Sequence, residues 1–182
     1  MTTASPASKP IEVFCSYTHA DENFLKDLDN HLSTLKHNGE ISTWHDFDIS
    51  AGSEWAPEIA SHLKSARIIL LLISSNFLAS SYAYEIEMQG AMKRHEAREA
   101  RVIPLILRPC DWKATPFGKL KALPKDGKAV TLWLNRDEAF TDIAEGIRKA
   151  INDLTGAKPD TQSAADNPTA RVIKEEPHAN PC

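Results

Sequence analysis

The chain has 182 residues, enough for one domain of ordinary size. It is 42% hydrophobic and 25% charged with a formal net charge of −4, the make-up of a soluble globular protein. It has no basic stripe that would point to nucleic acid and no acidic block. Cys15, Cys110 and Cys182 are widely spaced and form neither a C-x-x-C pair nor a disulfide framework, which fits a reducing, cytoplasmic setting. The first ten residues lack an apolar h-region, and the longest apolar run is too short to span a bilayer, so no membrane association is expected.

Residues 1–9 are small and polar and are expected to be disordered. Ile11 to Ser16 reads as a strand, with Val13 and Cys15 on one face and Phe14 on the other. A helix opens at Ala20 or Asp21 and carries Phe24, Leu25, Leu28, Leu32 and Leu35 at helical spacing. Asn38-Gly39 stops it. Ile41 to Trp44 is a short second strand, and the loop Asp46 to Gly52 follows. Ser53 caps a helix with Trp55, Ile59, Leu63 and Ala66 as its stripe.

Ile68 to Ile73 is continuously apolar, as a central parallel strand buried on both faces should be. A helix from about Ser81 to Arg98 comes next, with Tyr84, Met88, Ala91, Met92 and His95 on one face. Val102 to Leu107 is a fourth strand, which Pro104 places at an edge or a bulge. Cys110 to Lys128 is a long irregular connection, and Val130 to Leu134 a fifth strand. The last helix buries Phe140, Ile143, Ile147, Ile151 and Leu154. From Lys158 the chain turns polar and Pro-rich, which predicts a disordered tail over 158–182 and one domain over 10–157. Alternating strands and helices imply a flavodoxin-like, doubly wound, five-stranded parallel sheet with helices on both faces.

Several chemistries are excluded. There is no G-x-x-x-x-G-K-[ST] and no G-x-G-x-x-G after the first strand, which argues against a P-loop nucleotidase and a Rossmann dehydrogenase. The seven histidines form no H-x-x-x-H pair, so no metal site is expected. A phosphoacceptor receiver domain needs clustered acids after its first strand. Here that strand ends Cys15-Ser16-Tyr17.

What remains lies at strand ends, where ligands bind in open α/β sheets. Val13-Phe14-Cys15-Ser16-Tyr17, then Trp44-His45-Asp46 with Asp48-Ile49-Ser50-Ala51-Gly52-Ser53-Glu54-Trp55, then Leu72 to Phe77 with Ser81-Tyr82 and Glu87-Met88, stand in order. Val102 to Leu107 and Pro116-Phe117 through Leu123-Pro124 follow. Together these resemble the TIR (Toll/interleukin-1 receptor/resistance protein) domain in its bacterial form, over roughly residues 11–154.

The resemblance implies the TIR fold and cleavage of NAD+ at the nicotinamide–ribose bond, with NAD+ as substrate and no cofactor. It implies a catalytic Glu early in the third helix, and a cleft lined by Ser16, Tyr17, Trp44, Asp46, Ser75 and Tyr82. It also implies self-association or contact with other TIR domains, through the loop from Asp46 to Trp55, and a role in defence or immune signalling. Two acids compete. Glu87, followed by Met88, fits the motif better, while on an α-helical wheel Glu85 and Glu87 flank the buried stripe at about equal angles. The plain alternative is that both complement the helix dipole at the surface. Two other functions compete as well: a non-catalytic TIR adaptor acting by homotypic contacts, and an enzyme like the nucleoside deoxyribosyltransferases.

Overall fold

A computed structural model describes residues 9–45 and 54–156, with Trp55 and Tyr82 described by backbone alone. Residues 1–8 and 158–182 of the ends predicted to be disordered, the Ser53 cap and the loop from Asp46 to Gly52 therefore lie outside the described residues. Among the described residues, no helix is long and apolar enough to cross a membrane.

Among the described residues, four parallel strands form one sheet: β1 (Ile11–Ser16), β2 (Ile41–Trp44), β3 (Ile68–Ile73) and β4 (Arg101–Ile106), in the order β2-β1-β3-β4. Every residue of β3 is buried, as its unbroken apolar run requires of a strand covered on both faces. The alternation of side chains divides the core in two. Val13, Cys15, Leu70, Leu72 and Leu105 meet α1 (Glu22–His31), α2 (Ser33–His37) and α6 (Arg136–Thr155) on one face. Phe14, Ile69, Leu71, Ile73 and Val102 meet α3 (Trp55–Ser65), a π-helix (Tyr82–Met88) and α5 (Gln89–Glu96) on the other. A short helix, α4 (Ser75–Ala79), follows β3 directly.

Among the described residues the expected fifth strand is absent. Val130–Leu132 is a 3-10 turn closed by Leu132 N–H to Ala129 O at 2.9 Å, and Thr131 N–H to Leu107 O is its one ladder-like bond to the β4 side. The outer edge of β4 is already occupied by Leu123, which donates to Pro104 O at 2.9 Å and accepts from Ile106 N at 2.8 Å. Little of that edge is left for a fifth strand to pair with. Pro104 lies in this edge strand, where its missing N–H removes no bond to β3.

Because β1 leads outward to β2 on one side and β3 to β4 on the other, the chain reverses its direction of winding between β1 and β3. A crevice opens at the carboxyl ends of these two strands.

Candidate active site

Ser16 is the last residue of β1. It shares the pleat face of Phe14, two residues earlier, and so points toward the π-helix. There its hydroxyl donates to a carboxylate oxygen of Glu87, and both residues are buried, Glu87 at 7% exposure. The wide π turn explains this placement. A π-helix repeats i to i+5, so Ala83 and Met88 fall on one face and Glu87 comes inward with them. Glu85 is left exposed. The α-helical wheel that held the two acids equivalent does not apply to this segment. Ser80, before the π-helix, accepts from Ala83 N–H at 3.3 Å and orders its first turn.

Glu87 faces a cavity of about 190 Å³, lined also by Tyr17, Thr18, His19, Trp44, Ser80 and Ala83. A space of roughly 150 Å³ accepts a benzene ring, so this one suits a six-membered ring and its attachment point. Trp44, at the end of β2, forms one wall. Its indole stacks on Phe14 (5.4 Å between centroids, 18°) and on the His62 imidazole (4.3 Å, 14°). Glu12 Oε1 lies 2.7 Å from His62 Nδ1 and fixes the imidazole in that stack.

A second buried acid braces the crevice. Asp21 is fully buried in the turn after β1. It accepts from the Ser74 hydroxyl and from Thr18 Oγ1 at 3.1 Å, and pairs with Arg108 Nε at 3.3 Å. These contacts tie together the segments after β1, β3 and β4. Sequence reading treated Asp21 only as a helix opener. The signal available was its place in the first turn after Ser16-Tyr17.

Of the residues expected in the cleft, Ser16, Tyr17, Trp44 and Glu87 come together at this crevice. Ser75 does not: it is exposed at the first position of α4. The preceding Ser74 is the inward residue, capping Phe77 N–H at 3.1 Å and holding Asp21. Tyr82 opens the π-helix, with its side chain outside the description, and Asp46 lies outside the described residues. Thr18, His19, Ser80 and Ala83 were not foreseen. No group of three or more His, Cys, Asp or Glu side chains suited to a metal occurs among the described residues.

A family model for the TIR domain matches residues 13–144. The chain belongs to the TIR family. The uncharacterized protein y4lF of Sinorhizobium fredii is 50% identical over 161 residues, which is 87% of this chain and 50% of that protein. The chain thus spans about half the length of the curated relative it matches. The TIR domain of the Toll-related receptor TRR-2 from Hydra magnipapillata shares the fold, with a TM-score of 0.55 at 17% identity over 77% of this chain and 97% of that one. The TIR domains of the activated Roq1 resistosome, which directly recognizes the pathogen effector XopQ, align with a TM-score of 0.47 at 21% identity over 80% of this chain and 98% of theirs. In this TIR domain the crevice between β1 and β3 carries Glu87 and Ser16 from two of the motifs that define the resemblance.

Proposed function

We propose that this TIR domain is an NAD+ glycohydrolase that cleaves the nicotinamide–ribose bond. One observation carries the reading: Glu87 is a buried carboxylate, held by the Ser16 hydroxyl, on the wall of a ring-sized cavity at the sheet's switch point.

The chemistry needs little more. As the glycosidic bond breaks, nicotinamide departs neutral and positive charge develops on the ribose, as in glycoside hydrolysis. A carboxylate aimed at that charge, in a site that excludes most water, stabilises the transition state more than the ground state. Ser16 keeps the Glu87 carboxylate oriented before substrate arrives, so little reorganisation is needed during the reaction. Trp44 and Tyr17 offer ring surfaces beside it. Water adding to the ribose gives ADP-ribose and a proton, and attack by an adenine nitrogen of the same molecule gives a cyclic isomer.

The proposed setting is the cytoplasm, where Cys15 and Cys110 stay as the free thiols they are here. Self-association, as a step in defence signalling, is the proposed trigger. The test is product analysis with concentrated protein and NAD+. Nicotinamide together with ADP-ribose or its cyclic isomer is expected. Concentration-dependent assembly without any nicotinamide release would favour an adaptor instead.

A further inference from the structure

The crevice around Glu87 is not the roomiest part of the molecule. At the opposite end of the sheet, near the amino ends of β3 and β4, two cavities of about 370 and 480 Å³ share His95 and Arg101 in their walls and so form one trough. A six-residue strand separates this end from the Glu87 end, roughly 20 Å.

The trough is basic although the chain as a whole is acidic. Arg67, Arg98, Arg101, Lys119, Lys121 and Lys149 line it, against Glu96, Glu99 and Asp153. Each of those three acids already has a cation: Asp153 pairs with Arg101 at 3.1 Å, Glu96 with Lys119 at 3.7 Å and Glu99 with Arg94 at 3.4 Å. Arg67, Arg98, Lys121 and Lys149 form no ion pair among the described residues, which leaves four positive charges facing one space. Between them the floor is apolar, with Val102, Ile103 and Leu123. Burial, then Arg101 and Lys119, hold the imidazole of His95 below its ordinary pKa, which agrees with a positive potential along this wall.

Arg98 adds a second, independent sign. Two helices here end in the same capping motif. After α2, Gly39 (φ +70°) donates to Lys36 O at 3.0 Å and Glu40 donates to Leu35 O at 3.0 Å. After α5, Arg98 (φ +59°) donates to His95 O at 3.0 Å and Glu99 donates to Arg94 O at 2.9 Å. The left-handed position of this motif favours glycine, and any side chain there carries a conformational cost. At α5 it is filled by an exposed arginine on the trough wall. Strained positions of this kind cluster at functional sites, and of the two non-glycine residues with positive φ among the described residues, Arg98 and Asp126, Arg98 is the one that lines the trough.

We infer that the trough is a binding site for a small molecule bearing two or more phosphate groups. Guanidinium forks suit phosphate oxygens, and several cations over one elongated space suit more than one phosphate. No Phe, Tyr or Trp lines either cavity and the His95 imidazole is the one ring in their walls, so the phosphates carry most of the recognition. The site is separate from the Glu87 crevice and does not depend on the hydrolase reading.

Inorganic triphosphate is the probe. Titration calorimetry of the full chain in about 150 mM salt is expected to show binding that weakens with added salt, because the cations are exposed. Lys121→Ala and Lys149→Ala, both exposed, should each weaken it about tenfold. Arg98→Gly should weaken it by a similar factor and leave the melting temperature unchanged or raised, since the strain is removed. That opposition of binding and stability is the signature of a residue kept for a ligand. Triphosphate that fails to bind at millimolar concentration overturns the assignment. So does Arg98→Gly binding as tightly as the parent, or citrate binding as tightly as triphosphate. Because the readout is binding and not turnover, any of these leaves the reading of Glu87 standing.

Discussion

The Ser16 hydroxyl donates to the Glu87 carboxylate across a sequence separation of 71 residues, joining the end of β1 to the carboxyl-terminal end of the π-helix inside the crevice. A buried carboxylate is expensive unless it is hydrogen-bonded, so this contact holds the acid in place. Replacing Ser16 with Ala removes a donor to a charged group, worth about 1.5–3 kcal/mol, and should lower nicotinamide release by about 10- to 100-fold. Steady-state rates at saturating NAD+ check it. Unchanged rates would mean that Ser16 does not hold a working carboxylate.

The wall opposite is an aromatic stack. Trp44→Ala removes an indole stacked on both Phe14 and His62 and should cost about 3–5 kcal/mol in urea unfolding, as large-to-small core changes do. His62→Ala removes only the support. It is expected to raise KM for NAD+ while kcat stays close to that of the parent, if, as proposed, Trp44 serves as a binding surface of the cavity and Glu87 as the group at the reacting bond. A fall in kcat with KM unchanged would contradict this.

Asp21 binds the crevice together from beneath. Asp21→Ala leaves the Ser74 and Thr18 hydroxyls without their acceptor and Arg108 without its partner. Arg108 is partly in water, so the expected loss is about 2–4 kcal/mol, below that of a wholly buried pair. Chemical denaturation measures it directly, and Arg108→Gln should cost distinctly less.

His95 makes stability depend on pH. Its pKa is lowered, chiefly by burial and then by Arg101 and Lys119, with Glu96 opposing. As the neutral form, its Nδ1 accepts from Val102 N–H at 3.1 Å and ties α5 to the edge strand. The unfolded chain takes up this proton at about pH 6.5 and the folded chain only at lower pH. The contribution is therefore complete above about pH 6.5 and is lost as pH falls from there toward the lowered folded value. Melting temperatures from pH 8 to 5 should show that decline, and His95→Gln should flatten it.

These residues also show where sequence reading reaches its limit. The predicted bounds of β1, β2 and β3 coincide with those observed, because short apolar runs between polar turns leave little freedom. The apolar stretch Val130 to Leu134 reads in the same way, yet Leu123 has taken the sheet edge it needed. That is a contact across the fold which local pattern does not contain. Likewise the choice between Glu85 and Glu87 cannot be read from an α-helical wheel, since the segment winds as a π-helix. At the end of β3 the pair Ser74-Ser75 gives no reason to prefer one serine, and strand parity combined with the position of Asp21 turns Ser74 inward.

The most direct measurement compares nicotinamide release from NAD+ by the parent chain, Glu87→Gln and Glu85→Gln at equal, high protein concentration. Gln keeps the size and removes the charge. The expected result is turnover by the parent and by Glu85→Gln, and loss of at least about a hundredfold in Glu87→Gln. Turnover by Glu87→Gln at the parent rate would contradict the assignment of the buried carboxylate as the group that stabilises the ribosyl cation.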